Sequence, residues 1–289
     1  MTPSPRLPTP RPPILRMADG TAIPTLGQGT WHMGESGARA GQEAAALREG
    51  IERGLTLIDT AEMYGDGGAE RVVGQAIAGQ RERVFLVSKV LPHNASAAGV
   101  AKACAASLNR LGTDRIDLYL LHWRGAHPLA ETVAAFERLV TGGQIRYWGV
   151  SNFDPDDMVE LAALPDGTAC ATNQVLYHPD RRGIEFDLLP WLRERGMPIM
   201  AYSPLGQAGR LLRSAALGAV ARRHGVTPAQ VAIAWSLRDG TTISIPKAST
   251  LEHARQNAAA AEVRLTAEDL AEIDAAHPPP RTREPLGML

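Results

Sequence analysis

Short apolar runs alternate with segments of helical spacing along almost the whole chain. The run Leu55–Ile58 is too short for a stable helix and rich enough in aliphatic residues for a buried strand. The pattern recurs, and the predicted strands cover residues 26–31, 55–58, 84–89, 116–121, 145–150, 169–175, 199–202 and 242–245. Regular strand–helix alternation indicates an α/β fold with a parallel sheet. Eight such units without a break in composition predict a (β/α)8 TIM barrel in one domain, residues 14–289.

The helical segments are recognised by their spacing, their capping residues and the glycines that end them. Asp154 and Thr227 are predicted N-cap residues, Pro228 suits a first helical position, and Gly112 suits a helix end. The predicted helices cover residues 44–53, 69–78, 98–110, 129–140, 155–164, 188–194, 214–224, 228–238, 251–261 and 267–275. Eight units need only eight helices, so the sequence predicts extra helices near the C-terminus.

The residues before the first barrel strand predict two further features. Ile14–Met17 and Thr21–Ile23 flank Asp19-Gly20, a dipeptide typical of tight turns, so we expect an N-terminal β-hairpin. Residues 1–13 include six prolines and lack the apolar core of a signal peptide, which predicts a disordered extension. No apolar run reaches the roughly 18 residues of a membrane span, so we expect no membrane interaction.

The composition is that of a globular protein without an excess of either charge. The 289 residues are 44% hydrophobic and 21% charged, and the net charge of −1 gives no reason to expect nucleic-acid binding. Cys104 and Cys170 form no metal or redox motif, which favours a reducing compartment, and we expect a cytoplasmic protein. No dimerisation pattern is visible, so we expect a monomer.

An open doubly wound sheet that binds a nucleotide is the main alternative architecture. That fold needs a Gly-x-Gly-x-x-Gly motif between an early strand and its helix, followed about 20 residues later by an acid. Neither Gly27-Gln28-Gly29 nor the glycine-rich segment 65–68 fits this pattern. The barrel is therefore the favoured architecture.

Four polar residues stand at or just beyond the ends of three consecutive predicted strands. Asp59 follows the second strand, and Tyr64 lies five residues further on. Lys89 ends the third strand, and His122 follows the fourth. The active site of a TIM barrel lies at the carboxyl ends of its strands. Because consecutive strands are neighbours, we expect these side chains to share one part of the barrel mouth.

These residue types suit proton transfer to a carbonyl oxygen. A phenol has an ordinary pKa of about 10, which is high for a general acid at neutral pH. The ammonium group of Lys89 is expected to lower the pKa of Tyr64, and Asp59 to hold that lysine in place. His122 could orient the substrate oxygen. The set could thus donate a proton from Tyr64 while a hydride reaches the carbonyl carbon.

Each of these residues also has another interpretation. Lys89 could form a Schiff base, as in aldolase-type barrels, and His122 could be a core histidine. Asp59, Glu62 and His122 could hold a metal, but the sequence has no His-x-His motif and no clustered carboxylate pair. Tyr64 could simply line the pocket. A chance occurrence of all four at neighbouring strand ends is far rarer than of one, so we favour the catalytic interpretation without a metal.

Several segments resemble the motifs of the aldo-keto reductases. They are Asp59-Thr60-Ala61 with Tyr64-Gly65, Val87-Ser88-Lys89, Leu120-Leu121-His122-Trp123, Gly149–Phe153, Asn173-Gln174-Val175 with Tyr177-His178-Pro179, Ala201–Gly206 and Ile245-Pro246-Lys247. The resemblance runs in the family's order over residues 25–257. Within the family, the chain most resembles small bacterial members of the methylglyoxal-reductase or 2,5-diketo-gluconate-reductase kind.

The resemblance implies an NAD(P)H-dependent reductase that binds its cofactor in extended form without a Rossmann fold. Tyr64 would donate the proton, Asp59 and Lys89 would tune it, and His122 would orient the carbonyl. The implied cofactor residues are Ser151, Asn152 and Gln174 for the carboxamide, Tyr202 for the nicotinamide ring, Ser203, Leu205 and Gly206 for the pyrophosphate, and Lys247, Ser249, Thr250 and Asn257 for the 2′-phosphate and adenine.

The implied 2′-phosphate site departs from the family's pattern at one position. The family commonly has an arginine six residues after the lysine, where this chain has His253. Arg255 lies two positions further on, which is about 200° around a helix, so it is no simple substitute. Lys247 still favours NADPH, with NADH as the alternative.

Trp31 and Trp123 each follow a predicted strand and are expected to line the substrate pocket. The short tail after the last helix suggests an open site for a small carbonyl compound, with methylglyoxal-like 2-oxoaldehydes favoured.

Two other functional classes stay open. A hydrolase or isomerase on the same barrel would not need Tyr202 or the carboxamide set. A non-catalytic, nucleotide-sensing or subunit-type relative would have no need of all four polar residues at the strand ends.

Overall fold

A computed structural model describes residues 12–17 and 19–289. The predicted disordered extension, residues 1–13, lies outside the described residues except for its last two prolines. The carbonyl oxygen of Pro13 accepts hydrogen bonds from the amide of Thr25 at 2.9 Å and from its hydroxyl at 3.1 Å. The described chain therefore begins against the start of the first barrel segment.

The described residues form ten strands and ten α-helices. The strands are β1 (Ile14–Arg16), β2 (Ala22–Pro24), β3 (Gln28–Gly29), β4 (Leu57–Asp59), β5 (Phe85–Val90), β6 (Ile116–Leu121), β7 (Ile145–Ser151), β8 (Asn173–Leu176), β9 (Ile199–Tyr202) and β10 (Thr242–Ser244). The helices are α1 (Gly37–Glu52), α2 (Gly68–Ile77), α3 (Ala97–Leu111), α4 (Leu129–Thr141), α5 (Pro155–Ala162), α6 (Leu188–Glu194), α7 (Ala215–His224), α8 (Pro228–Ser236), α9 (Leu251–Ala259) and α10 (Ala267–Ala276).

The predicted barrel is confirmed by the strand order. Strands β3 to β10 pair in sequence order, and every neighbouring pair is parallel. The first and last segments meet through parallel bridges from Leu26 to Ser244 and from Gly29 to Lys247. The predicted hairpin is present as well, because β1 and β2 form a separate antiparallel sheet. No helix in the described ranges is long and apolar enough to cross a membrane.

Several element boundaries differ from the sequence prediction. The predicted strand 169–175 begins only at Asn173, because Asp166 adopts a left-handed φ of 61° and starts a short 3₁₀ turn over Gly167–Ala169. The predicted strand 26–31 is reduced to β3 and an isolated bridge. Helix α1 begins at Gly37 rather than at residue 44, since its glycine-rich first turns hid the helical spacing.

The core has two layers because side chains alternate across each strand. Leu57, Phe85 and Leu118 point into the barrel and pack with the other interior residues, Ile23, Val87, Leu120, Met200, Ile243 and Ile245. Intervening residues such as Ile58 and Leu86 pack outward against the helices. The same alternation places Asp59 and Lys89 at the last inward-facing positions of β4 and β5. The interior core thus ends in a polar layer at the carboxyl ends of the strands.

A close contact between two glycines fixes the loop after β3 against the loop after β4. A Cβ added to Gly34, whose φ is +71°, would lie 2.1 Å from the carbonyl carbon of Gly68. No other residue type fits such an approach without moving the backbone. This contact holds the segment that carries Trp31 beside the segment that carries Tyr64.

We predict that Gly34→Ala destabilises the protein more than Gly225→Ala does. Gly225 has a similar φ of +65° but no atom within 4 Å of an added Cβ, so its replacement costs only the left-handed conformation, about 1–3 kcal/mol. Gly34→Ala must also push the two loops apart. Urea denaturation of both variants measures the difference, and equal losses of unfolding free energy would contradict the close contact.

Candidate active site

The ammonium group of Lys89 connects three neighbours at the mouth of the barrel. Its Nζ atom donates to Oδ2 of Asp59 at 2.7 Å, to the carbonyl oxygen of Thr60 at 3.0 Å and to the hydroxyl of Tyr64 at 3.2 Å. Lys89 is 0% exposed and Asp59 2% exposed. Three of the four predicted residues are therefore joined by hydrogen bonds through one buried cation.

The pairing keeps the lysine charged in a place where burial opposes charge. Burial lowers the pKa of Lys89, but the Asp59 carboxylate and the Tyr64 oxygen outweigh it and hold that pKa above its ordinary value. A buried cation of this kind needs its partner, because an isolated charge in the interior is very costly. The sequence supplies both charges at inward-facing positions of adjacent strands.

Burial reverses the predicted shift at Tyr64. Desolvation is the largest influence and raises the pKa of Tyr64; Lys89 lowers it, and Asp59 raises it further. Lys89 acts in the predicted direction, but the prediction of a lowered pKa is wrong for this structure because the low-dielectric surroundings outweigh the cation. The phenol consequently holds its proton at neutral pH.

His122 completes the set as a neutral side chain. Its ring lies edge-on to the ring of Tyr64, with 5.7 Å between centroids. Burial, assisted by the nearby Lys89 cation, lowers the pKa of His122 to about 2. Within the described residues, its buried Nδ1 atom has no hydrogen-bond partner. An uncharged imidazole can orient a polar ligand atom without competing with the phenol as an acid.

The loop that carries Tyr64 is held by Glu62, whose structural role the sequence prediction missed. The Glu62 carboxylate accepts from the amide of Leu91 at 2.7 Å and from Nδ2 of Asn94 at 3.0 Å. Glu62 therefore ties the loop after β4 to the loop after β5. Its place between Asp59 and Tyr64 was the available signal, but the sequence suggested for Glu62 only a role as a metal ligand, which was not the favoured interpretation.

A second buried network, also missed, lies behind Lys89. The Glu70 carboxylate of α2 accepts from the hydroxyl of Ser88 at 2.6 Å and from Nε of Arg110 at 2.5 Å. Ser88 precedes Lys89 on β5, and the Arg110 side chain covers the backbone of Gly67. The network joins α2, α3 and β5 around the loop of Tyr64. Sequence spacing could not reveal it, because its members are far apart along the chain.

The side chains predicted to hold a carboxamide lie together on the next strands. Ser151 at the end of β7 pairs in register with Gln174 on β8, and its hydroxyl donates to the Gln174 carbonyl oxygen at 2.8 Å. Asn152 Nδ2 donates to the His122 carbonyl oxygen at 3.2 Å, and Asn152 Oδ1 accepts from the Tyr202 hydroxyl at 3.0 Å. Burial raises the pKa of Tyr202 to about 12. The four residues thus form one connected surface beside His122.

Left-handed backbone conformations concentrate in the same region. Asn152 has a φ of 57° and Ser203 a φ of 48°. A non-glycine residue in this conformation costs of the order of 1–3 kcal/mol, and such residues cluster at functional sites. Leu205 and Gly206 follow in the same loop after β9, where Gly206 has a φ of +55° and lies close to Leu211. The predicted pyrophosphate segment is therefore an irregular turn at the barrel mouth.

The predicted 2′-phosphate residues lie at the seam of the barrel and the start of α9. Lys247 is exposed and bridges to Gly29 on β3, and Thr250 caps α9 by accepting from the amide of His253 at 3.2 Å. Burial of its stem lowers the pKa of Lys247, and Arg39 lowers it as well. Glu43 acts in the opposite direction, but the pKa stays below its ordinary value.

Three other residues near this seam bear on the predicted site for the 2′-phosphate and adenine. Ser249 is half-buried and its carbonyl oxygen accepts from Nε2 of Gln42 at 3.3 Å, while Asn257 is buried on α9. Arg255 points elsewhere, because its Nε donates to the Glu49 carboxylate of α1 at 2.9 Å. The sequence argument against Arg255 as a substitute for the family's arginine agrees with this salt bridge.

The two predicted pocket tryptophans lie on segments that are joined to the tetrad formed by Asp59, Tyr64, Lys89 and His122. Trp31 is half-buried and stacks on His32 with 4.2 Å between ring centroids. Trp123 is half-buried, and its ring centroid lies 4.8 Å from that of His122. The preceding Thr30 donates its hydroxyl to the Asp59 carbonyl oxygen at 2.9 Å, which fixes the Trp31 segment to β4. Trp123 thus lies beside His122, and Trp31 lies on a segment that is held against β4.

A barrel with this arrangement at its mouth has the architecture of a TIM-barrel enzyme site, and its sequence identifies the family. A family model described as "Aldo/keto reductase family" matches residues 25–278. The match covers most of the chain, and the chain belongs to this family. The resemblance found in the sequence motifs is confirmed.

Several relatives are similar to this chain over nearly its full length. The methylglyoxal reductase YeaE of Escherichia coli is 54% identical over 280 residues, covering 96% of this chain and 99% of that protein. The glyoxal reductase of Bacillus subtilis is 34% identical over 273 residues, covering 93% and 94%. An aldo/keto reductase from Klebsiella pneumoniae, crystallised with NADP and acetate, superposes with a TM-score of 0.94 at 53% identity, covering 96% of this chain and 100% of that one.

We predict that Lys89→Met lowers the free energy of unfolding by about 3–5 kcal/mol, because it leaves Asp59 buried without its cation. Glu82→Gln is the matched control, since it removes an exposed partner 3.5 Å from Arg115. That control should stay within about 0.5 kcal/mol of the parent. Urea denaturation followed by tryptophan fluorescence measures both. A loss for Lys89→Met no larger than the control's would contradict a buried charge pair.

Proposed function

We propose that this protein uses NADPH to reduce small aldehydes and ketones to alcohols, with 2-oxoaldehydes such as methylglyoxal favoured and with Tyr64 as the proton donor. The observation that carries the proposal is the buried Lys89 ammonium, which hydrogen-bonds both Asp59 and the Tyr64 hydroxyl. Family membership and the similarity to a methylglyoxal reductase support the reaction class and the substrate.

The residues around the tetrad fit a nicotinamide cofactor by their chemistry. A carboxamide needs both donors and acceptors, and Ser151, Asn152 and Gln174 offer hydroxyl and amide groups at one surface. Tyr202 would lie against the ring, Ser203, Leu205 and Gly206 would contact the pyrophosphate, and Asn257 would hold the adenine. Lys247 with Ser249 and Thr250 at the start of α9 suits a dianion, because cations and free helix amides bind phosphate. When bound, the reduced nicotinamide supplies a hydride to the carbonyl carbon.

The tetrad would supply the proton and the orientation. Tyr64 keeps its proton at neutral pH because burial raises its pKa, and it donates that proton as the carbonyl oxygen gains charge. The phenolate left behind lies 3.2 Å from the Lys89 ammonium, which stabilises it. Neutral His122 donates a hydrogen bond that orients the carbonyl oxygen. Asp59 holds the lysine in position throughout.

Trp31 and Trp123 favour a small, flat substrate near His122. Their rings give an apolar wall, while the tetrad provides the polar atoms for a carbonyl group. The similar Escherichia coli protein is named a methylglyoxal reductase and the Bacillus subtilis protein a glyoxal reductase, and both names denote small dicarbonyl compounds. We therefore favour 2-oxoaldehydes among small-molecule carbonyl substrates.

A non-catalytic, nucleotide-binding relative is the alternative function. The connected geometry of the tetrad argues against it. A buried ion pair often contributes little to stability compared with apolar residues of similar volume. A protein that only bound nucleotide would have no need to keep Lys89 bonded to the Tyr64 hydroxyl.

We predict that the purified protein oxidises NADPH in the presence of methylglyoxal and prefers NADPH to NADH, because Lys247 can pair with a 2′-phosphate. Tyr64→Phe should lower kcat by about 10²–10⁴-fold, since it removes the general acid. The variant should still bind NADPH, which quenching of tryptophan fluorescence can measure. Absorbance at the reduced-nicotinamide band gives the rates.

Three results would contradict parts of this proposal. Unchanged turnover in Tyr64→Phe would exclude Tyr64 as the donor. Binding of NADPH without turnover of any small aldehyde would favour the nucleotide-binding alternative. Equal rates and affinities with NADH would remove the phosphate role of Lys247.

A further inference from the structure

A hydrogen bond joins two strands on opposite sides of the barrel. Nε2 of Gln174 donates to Oδ1 of Asp59 at 2.7 Å. Gln174 lies on β8 and Asp59 on β4, and these strands are four apart in a ring of eight. The two side chains therefore meet across the barrel axis. Few side chains can do so, since only inward-facing groups at one level reach each other.

The bond completes a continuous chain of polar contacts. Gln174 holds one oxygen of the Asp59 carboxylate, Lys89 holds the other at 2.7 Å, and Lys89 also contacts the Tyr64 hydroxyl. Gln174, Asp59 and Lys89 are each no more than 2% exposed. Below the amide lies the sulfur of Met200, 3.8 Å from Nε2, at the top of the interior core.

We propose that Gln174 is a positioning residue for the Asp59–Lys89 pair, and thereby for Tyr64, in addition to any contact that it makes with a cofactor. A carboxylate with one oxygen unpaired could rotate away from Lys89. With both oxygens bonded, its orientation is fixed from two sides of the barrel. The kinetic effect of this role rests on the proposed function. The hydrogen bond between Gln174 and Asp59 does not depend on that function.

The same bond fixes which end of the amide remains for a ligand. A carboxylate oxygen accepts only, so it must face the NH₂ end of Gln174. Oε1 is then the atom left to face the site, and it can only accept. The glutamine would therefore contact the NH₂ group of a carboxamide, and its orientation would be set before any ligand arrives. One side chain would serve both the tetrad and the cofactor.

Gln174→Glu separates this role from simple cofactor binding through its pH dependence. When protonated, the new carboxyl can still donate to Asp59 and imitate the glutamine. When ionised, it opposes the Asp59 carboxylate at hydrogen-bonding distance. The charged and titratable groups around it are Asp59 on β4, Lys89 on β5, and Tyr64 and His122 beyond them. The facing Asp59 should raise the pKa of the new carboxyl above the ordinary value of about 4.3.

For the cofactor-loaded protein we expect kcat of Gln174→Glu, measured with saturating NADPH and methylglyoxal, to approach the parent at about pH 5. It should fall at least about tenfold relative to the parent by pH 8, because displaced catalytic groups lose rate steeply. A role confined to the carboxamide predicts no such fall in kcat. An ionised carboxylate accepts well from an NH₂ group, so only the KM for NADPH would change, and kcat would match the parent at every pH.

A second measurement uses the protein without cofactor. The new carboxyl has its folded-state pKa raised, so its contribution to stability is present at low pH and is lost as pH rises through that pKa. The melting temperature of Gln174→Glu should therefore fall further below the parent's as pH rises from about 5 to 8. This result would stand even if NADPH failed to bind, so failure of the proposed function and failure of the positioning role can be told apart.

Gln28→Glu is the matched control for burying a carboxyl in this barrel. Gln28 is 4% exposed and donates to the carbonyl oxygens of Leu47 at 3.1 Å and Leu55 at 2.9 Å, away from Asp59. Over the same pH range it should lose less melting temperature than Gln174→Glu, since its amide faces two carbonyl oxygens rather than the Asp59 carboxylate. It should also keep the kcat of the parent in the folded fraction. Gln174→Met, which cannot hydrogen-bond Asp59, should have low kcat at all pH values. Unchanged kcat in both Gln174 variants with saturating NADPH would overturn the proposal.

Discussion

The buried ion pair between Asp59 and Lys89 is the constraint on which the rest of the site depends. Its two charges lie inside a barrel whose interior core consists of apolar side chains. Charges in such surroundings are tolerated only with complete pairing, so each must have fixed partners. Gln174 and Lys89 satisfy the carboxylate, while Asp59, Thr60 and Tyr64 satisfy the ammonium. Pairing that stabilises the charges also determines where the phenol lies.

Contacts outside the barrel interior hold the loops around the ion pair. Glu62 ties the Tyr64 loop to the loop after β5, and Glu70 with Arg110 packs the start of α2 against α3. The glycine contact between Gly34 and Gly68 brings the Trp31 segment to the same place. Strained backbone at Asn152 and Ser203 lies just after β7 and β9. Rigid strands thus set the tetrad, and the loops around it form the remaining walls of the pocket.

Residues that depend on periodicity were predictable from the sequence, and those that depend on distant contacts were not. The ends of short apolar runs placed Asp59 and Lys89 at strand ends, and the helix caps Asp154 and Thr227 also lie where predicted. The start of β8 was misplaced because residues 169–172 have strand-like composition, whereas a left-handed turn at Asp166 decides the backbone. The raised pKa of Tyr64 could not be foreseen, since it reflects the extent of burial. The Gln174–Asp59 bond required knowledge of how the sheet closes.

The central claim is that the Tyr64 phenol delivers the proton, and the most direct test is the pH dependence of single-turnover NADPH oxidation with methylglyoxal. A protonated donor with a raised pKa predicts a rate that is constant near neutral pH and falls as alkaline pH removes the phenolic proton. His122, with a pKa of about 2, adds no change in this range. The alkaline fall should be present in the parent and absent from the residual rate of Tyr64→Phe. An identical alkaline fall in both proteins would contradict the assignment.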